Sequence, residues 1–367
     1  MPLTTVDQGL LSTNAQYTGF KNRLINGDMV IDQRGSASSP VSNTAAGNTY
    51  FVDRWHVFGA VAARMNGRQS TVVPSSTTFT NSSLITSLAA TTPGSGDAYG
   101  VRQIIEGFNA ADLGWGTANA QTVTMSFWVR SSIAGTYSFS PFNGNEGGWR
   151  AYVATYTINS VDTWEYKTIT IPGDTSGTWN KTNGPGIQCW WDLGSGSGFN
   201  TTAGSWNGSL LVRTSGSASW IGTNGATFYI TGAQLEKGST ATSFDVLPYG
   251  TELALCQRYY YRVKPQSAAR YCLGRIESST NARGLLPFPT TMRVAPSALE
   301  QTGTATDYGI AYAGTGTACS SVPVFDGATT ESVARISFTI SSGMTQGQVC
   351  DLYNVNANGY LGWSAEL

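Results

Sequence analysis

Short stretches in which large apolar or aromatic residues alternate with Ser, Thr and other polar residues, each ending in a Gly/Asn/Ser turn, constrain this chain most. The clearest are 123–130 (VTMSFWVR), 135–140 (GTYSFS), 150–157 (RAYVATYT), 166–171 (YKTITI), 186–193 (GIQCWWDL) and 227–235 (TFYITGAQL). A period of two is the signature of a strand with one face buried and the other turned away from the core. Strands of this kind, repeated across short loops, predict a sandwich or jelly roll. No fixed-period repeat is present, which argues against a β-helix or a propeller.

Composition agrees with an all-β chain. Charged residues are 12% of the sequence, about half the usual share, and the 43 glycines suit many tight turns. A length of 367 residues exceeds what one core usually supports, so two domains are expected. The net charge of −1, with Lys and Arg scattered singly, gives no basic stripe for nucleic acid. No apolar run is long enough to span a bilayer, and MPLTTVDQGLLS has no basic, apolar leader. Synthesis and assembly in the cytoplasm are therefore expected, with thiols kept reduced. The cysteines (Cys189, Cys256, Cys272, Cys319, Cys350) are widely spaced, and a Cys319–Cys350 or Cys256–Cys272 bridge is the alternative. With His56 the sole histidine and no CxxC, no zinc site is expected.

The chain divides by composition into regions. Residues 1–21 form a polar leader whose Leu10, Leu11, Tyr17 and Phe20 either fray or dock onto another protein. Residues 22–248 carry the strand signals above, with a long flexible loop expected from Gly194 to Gly208. Residues 249–262 (YGTELALCQRYYYR) predict a short helical linker, capped by Thr251, with Leu253, Cys256 and Tyr260 on one face. Residues 263–367 return to β character, with strands expected near 269–276, 291–296, 333–340 and 347–354, hence a second β-sandwich. The closing GYLGWSAEL is apolar enough to be tucked into a core or a subunit interface.

The segments NRLINGDMVIDQRG (22–35), FVDRW (51–55) and FYITGAQLEKGSTATSFDVLPYGTELALCQRYY (228–260) resemble a family of tailed-bacteriophage virion proteins described as tail-fibre, receptor-binding or head-fibre proteins. The middle region is similar to carbohydrate-binding modules with a galactose-binding-like jelly roll. The resemblance rests on Asn26-Gly27-Asp28-Met29 and on the strand from Phe228 to Leu235. It implies a homotrimer on the virion surface, attached to other virion proteins through residues 1–21. Many such modules hold calcium where these two segments meet. Here Thr231 and Gly232 replace aspartates, leaving Asp28 and Glu236, so no metal or other cofactor is expected.

Sugar recognition needs flat aromatic faces and hydrogen-bonding groups, and eleven tryptophans supply the first. Alternation turns Trp128 and Arg130 away from the core in one strand, and Gln188, Trp190 and Asp192 away from it in another. If those strands are neighbours, the residues form a platform; otherwise loops or a second subunit cover the tryptophans. Trp149 and Trp206, in Gly-rich segments, are further candidates. The DRW triplet at 53–55 reads as a turn with Trp55 in the core. Glu106, Asp112, Glu146, Asp162, Glu165 and Asp192 fall into no motif that pairs them for glycoside hydrolysis, and His56 has no triad around it. The expectation is a non-enzymatic tail-fibre or spike subunit that binds host surface polysaccharide. The alternative is a head-fibre, decoration or neck protein with an architectural role.

Overall fold

In the strand Val123–Ser131, Val123, Met125, Phe127 and Val129 are wholly buried, while Trp128 and Arg130 between them are partly exposed. The opposing strand Pro185–Asp192 contributes Ile187, Cys189 and Trp191 to the same core, followed by Leu193. The rings of Trp55, Phe127 and Phe139 surround Trp191 at 5.4, 5.6 and 4.8 Å. Burying each such side chain stabilises the fold by roughly 1.5–3 kcal/mol.

The computed structural model describes residues 21–325 and 327–367. The docking candidates Leu10, Leu11, Tyr17 and Phe20 lie outside the described residues. The chain separates into two compact units, one ending at Pro248 and the other covering Tyr249–Glu366. Both are β-sandwiches, the first of jelly-roll type.

The first unit packs a six-stranded antiparallel sheet on an eight-stranded one. The six-stranded order is Val41–Ser42, Met65–Ser70, Ser82–Ser87, Thr227–Lys237, Val123–Ser131, Glu165–Ile171. The eight-stranded order is Trp206–Asn207, Ala151–Tyr152, Gly135–Phe142, Pro185–Asp192, Tyr99–Glu106, Trp55–Gly59, Gly47–Val52, with Ala154–Ile158 also paired to Gly135–Phe142. The stretch 150–157 is thus two strands interrupted at Val153. The hairpin Gly47–Val52/Trp55–Gly59 turns on Asp53 and Arg54. Asp53 accepts from the Gln33 backbone and side chain at 2.7 and 2.6 Å, Arg54 donates to the Ile104 carbonyl, and Trp55 enters the core.

The stretch from Gly194 to Gly208, expected to be flexible, is tied down along its length. Gly196 and Gly198 N–H bond the Asp97 and Ser95 carbonyls at 2.7 and 2.8 Å, and Gly204 bonds Val153 at 2.9 Å. Small residues let this segment lie flat against its neighbours.

The second unit joins a three-stranded sheet (Tyr260–Val263, Leu361–Ser364, Leu299–Glu300) to a seven-stranded one. The latter runs Thr315–Ala318, Tyr308–Tyr312, Val349–Asn354, Arg270–Ile276, Asn281–Pro287, Val333–Thr339, Ser321–Phe325. Its core includes Ile310, Ile336, Phe338, Leu352, Leu361 and Trp363.

The helix covers only Tyr249–Gln257, because Tyr260–Val263 pairs with Leu361–Ser364 instead of continuing it. Strand propensity of the Tyr-rich segment and a partner strand override the helical spacing. The apolar C-terminal strand is therefore core, and Tyr259 and Tyr260 are wholly buried within the single chain rather than available to a neighbouring subunit. Residues 291–296 form no strand, although Met292 is buried and bonds the Glu331 carbonyl at 2.8 Å. All five cysteines are free. Among the described residues, no helix is long and apolar enough to cross a membrane.

Candidate functional site

The two candidate strands lie in different sheets, so Trp128 and Trp190 sit on opposite outer faces of the first sandwich and form no common platform. What each face carries decides its role.

On the eight-stranded sheet, register aligns Trp190 with Arg102, Arg102 with His56, and His56 with Tyr50. Arg102 is the centre of this row. Its Nε donates to His56 Nε2 at 2.5 Å, Nη1 to Gln188 Oε1 at 2.7 Å, and Nη2 to Asn48 Oδ1 at 2.5 Å. The guanidinium lies 5.4 and 5.6 Å from the Phe58 and Trp190 ring centroids, within cation–π range. Burial lowers its pKa to about 10, so it stays charged at neutral pH. Burial, and then the positive charges of Arg102, Arg54 and Arg34, hold His56 well below its ordinary 6.5. The imidazole is neutral and serves as an acceptor.

Trp190 is 3% exposed, Gln188 7% and Asp192 1%. The indole occupies the space above Gly100, where a Cβ would come within 2.4 Å of it. Phe142, Ala151 and Val212 bury it, with Phe58, Trp149, Phe199 and Leu210 packed around them. The cavity left here is small, about 190 Å³, and apart from Arg102 its lining is apolar. Asp192 accepts from the Gly194 and Ser195 backbone N–H groups at 3.1 Å each, with Arg213 Nε 3.7 Å away, and burial raises its pKa. These residues organise the loops over the sheet. The hydrogen-bonding groups of Gln188 and Asp192 are committed within the protein, while the buried Trp190 indole N–H has no partner.

The two further tryptophan candidates are partly exposed and pack one side against neighbouring aromatic rings. Trp149 lies 6.1 Å from Phe142. Trp206 meets Trp115 and Trp179 edge-on at 5.2 and 5.5 Å, and its indole donates to the Pro172 carbonyl at 2.9 Å.

The outer face of the six-stranded sheet differs. Trp128 is partly exposed and is paired in register with Tyr166, which is 44% exposed; their rings lie 5.4 Å apart. Phe79 and Phe244, edge-to-face at 5.2 Å, complete an open groove of about 400 Å³. Ser76, Thr78, Ser126 and Ser243 bring hydroxyls to its lining, whereas Thr242 is engaged with the Glu236 carboxylate at 2.7 Å. Flat ring faces beside short hydroxyl side chains are the chemistry that takes a pyranose, whose C–H faces stack while its hydroxyls are bonded. Arg130 stands farther along this face, over Tyr229 at 5.1 Å and bonded to Asp162 at 2.8 and 3.2 Å, outside the groove.

Of the residues on this face, sequence reasoning singled out Trp128. It missed Tyr166, which alternation in YKTITI places outward, and also Phe79 and Phe244. Those two lie in Ser/Thr-rich loops that carry no local signal.

The calcium suggested by the resemblance does not fit the residues present. Glu236 already accepts from Thr242 N, Thr242 Oγ1 and Gln234 Nε2 at 2.8, 2.7 and 2.9 Å, and burial raises the pKa of Asp28. Among the described residues, no group of three or more His, Cys, Asp or Glu could hold a metal. Three of the scattered carboxylates have these partners: Asp112 has Arg23 at 2.8 Å, Glu165 has Lys167 at 2.6 Å, and Glu146 accepts from Asn180 through Oε1 at 2.9 Å while its Oε2 is buried without a partner.

No family model and no curated protein matches the sequence. Among solved structures, the enzymatically active domain of tailspike protein 4 of bacteriophage CBA120 aligns with 59% of this chain at 12% identity and a TM-score of 0.33. The chain spans only 21% of that tailspike. The family 11 carbohydrate-binding module of a cellulosomal cellulase from Clostridium thermocellum aligns over 54% of this chain and 99% of its own (14% identity, TM-score 0.28). A xylan-binding domain from Paenibacillus barcinonensis aligns over 50% and 92% (14%, 0.29). At such scores these likenesses carry no argument. The fold rests on the sheets described above, and the site on its own residues.

Proposed function

We propose that the chain is a tail-fibre or spike subunit on the virion surface of a tailed bacteriophage, which attaches to its host by binding surface glycan without cleaving it. The observation that carries the glycan reading is the Trp128–Tyr166 groove, where aromatic faces and short hydroxyl side chains line one open surface. The virion reading is supported by the resemblance of residues 22–35, 51–55 and 228–260 to phage virion proteins. In this reading the protein is assembled in the host cytoplasm as a homotrimer, and residues 1–21 join it to the particle. Three copies multiply a weak sugar contact into useful avidity.

The test is binding of the purified protein to host cells and to a glycan array, comparing wild type with Trp128→Ala and Tyr166→Ala. Each substitution is expected to weaken binding at least about tenfold, the equivalent of roughly 1.4 kcal/mol. Unchanged binding by both folded variants would remove the groove from the account.

A further inference from the structure

The second unit carries a separate cleft. In the strands Tyr308–Tyr312 and Thr315–Ala318, the residues paired on the outer face are small: Gly309 and Ala311 in one, Gly316 and Ala318 in the other. The intervening Ile310 belongs to the core. Beside them, register places Tyr353 against Gly309 and Asp351 against Ala311, with Arg270 and Leu273 one strand farther on. The sequence from Gly309 to Ala318 (GIAYAGTGTA) thus cuts a step into an otherwise side-chain-covered sheet, leaving a cleft of about 500 Å³. That lies within the range of small-molecule sites, roughly 300–1,000 Å³.

Its walls have a definite chemistry. The Tyr353 ring lies over the glycines: a Cβ at Gly309 would meet the ring at 2.5 Å, and one at Gly316 would meet its hydroxyl at 2.8 Å. Arg270 Nε and Asp351 Oδ2 form a half-exposed ion pair at 3.1 Å on the same wall. Leu273 and Val349 stand 69% and 68% exposed at the rim. A donor and an acceptor side by side can take two neighbouring hydroxyls of one ring, and aromatic and aliphatic carbon suits the ring's C–H surface. Because the arginine is matched by an aspartate, the cleft favours a neutral ligand over an anion.

We infer that this cleft is a second saccharide site, for a neutral pyranose, with Tyr353, Arg270 and Asp351 as its contacts. It is independent of the Trp128 groove, since it shares no residue with it.

Saturation-transfer NMR on the full chain tests this, with methyl glucoside, galactoside, mannoside and N-acetylglucosaminide as probes. A Trp128→Ala chain is expected to keep a saturation-transfer signal for at least one probe. Adding Tyr353→Ala should abolish that signal. Ala311→Gln fills the step from a partly exposed position without touching the core, and should abolish it too, covering the case in which Tyr353→Ala disturbs the sheet. The site is overturned if Trp128→Ala removes all transfer, or if Ala311→Gln leaves the residual signal unchanged. It is also overturned if no probe gives transfer to the wild type. Failure of the Trp128 groove alone would read differently: wild-type transfer would be insensitive to Trp128→Ala but lost with Ala311→Gln.

Discussion

Trp128 and Trp190 occupy equivalent positions in their strands. Each follows a core residue, points to the outer face of its sheet and is flanked by polar neighbours. Yet Trp190 is sealed beneath Phe199, Leu210 and Val212, above a bare glycine and beside Arg102, which bonds His56, Gln188 and Asn48. Trp128 faces an open groove with Tyr166 half in solvent. Alternation fixes which side of the sheet a residue takes; it says nothing of what the loops then lay over that side. On the eight-stranded sheet, the Gly-rich segment after Leu193 folds back as a cover. On the six-stranded sheet, the loops bearing Phe79 and Phe244 form the edges of a groove.

The comparison can be broken most sharply at Trp190. Trp190→Ala should cost about 3–5 kcal/mol of stability, as other large-to-small aromatic substitutions in packed sites do. Trp128→Ala should cost about 1 kcal/mol or less, because its loss is partly repaid by solvent. Urea titrations of the two variants give both values, and equal costs would erase the distinction drawn here.

A smaller effect concerns the row behind Trp190. His56 is neutral in the fold, because burial and nearby arginines depress its pKa, but it takes up a proton near its ordinary 6.5 when unfolded. The unfolded chain therefore binds more protons below that pH. The stability contributed is complete above 6.5 and is lost as pH falls below it, by at most about 1.4 kcal/mol per pH unit for one proton. His56→Gln retains an acceptor for Arg102 and should flatten this slope between pH 6.5 and 5. An unaltered slope would mean that the imidazole is not held neutral.

Much of the core was legible in the sequence. The alternating residues of VTMSFWVR and GIQCWWDL enter it as a period of two requires, and the all-β class followed from the same pattern. Several strands were not legible, among them Tyr99–Glu106 and Asn281–Pro287. The first is buried on nearly its whole length, so it shows no alternation, and the second ends on a proline. The end of the helix depended on a partner strand about a hundred residues away, and the groove on loop aromatics brought together only by folding. Neither leaves a local pattern to read.

The indole N–H resonances of the eleven tryptophans report directly on whether sugar meets Trp128 rather than Trp190. Titrating the isotope-labelled chain with oligosaccharides from host surface polysaccharide should shift the Trp128 indole signal and leave that of Trp190 in place. A shift at Trp190 with Trp128 unmoved would contradict the account.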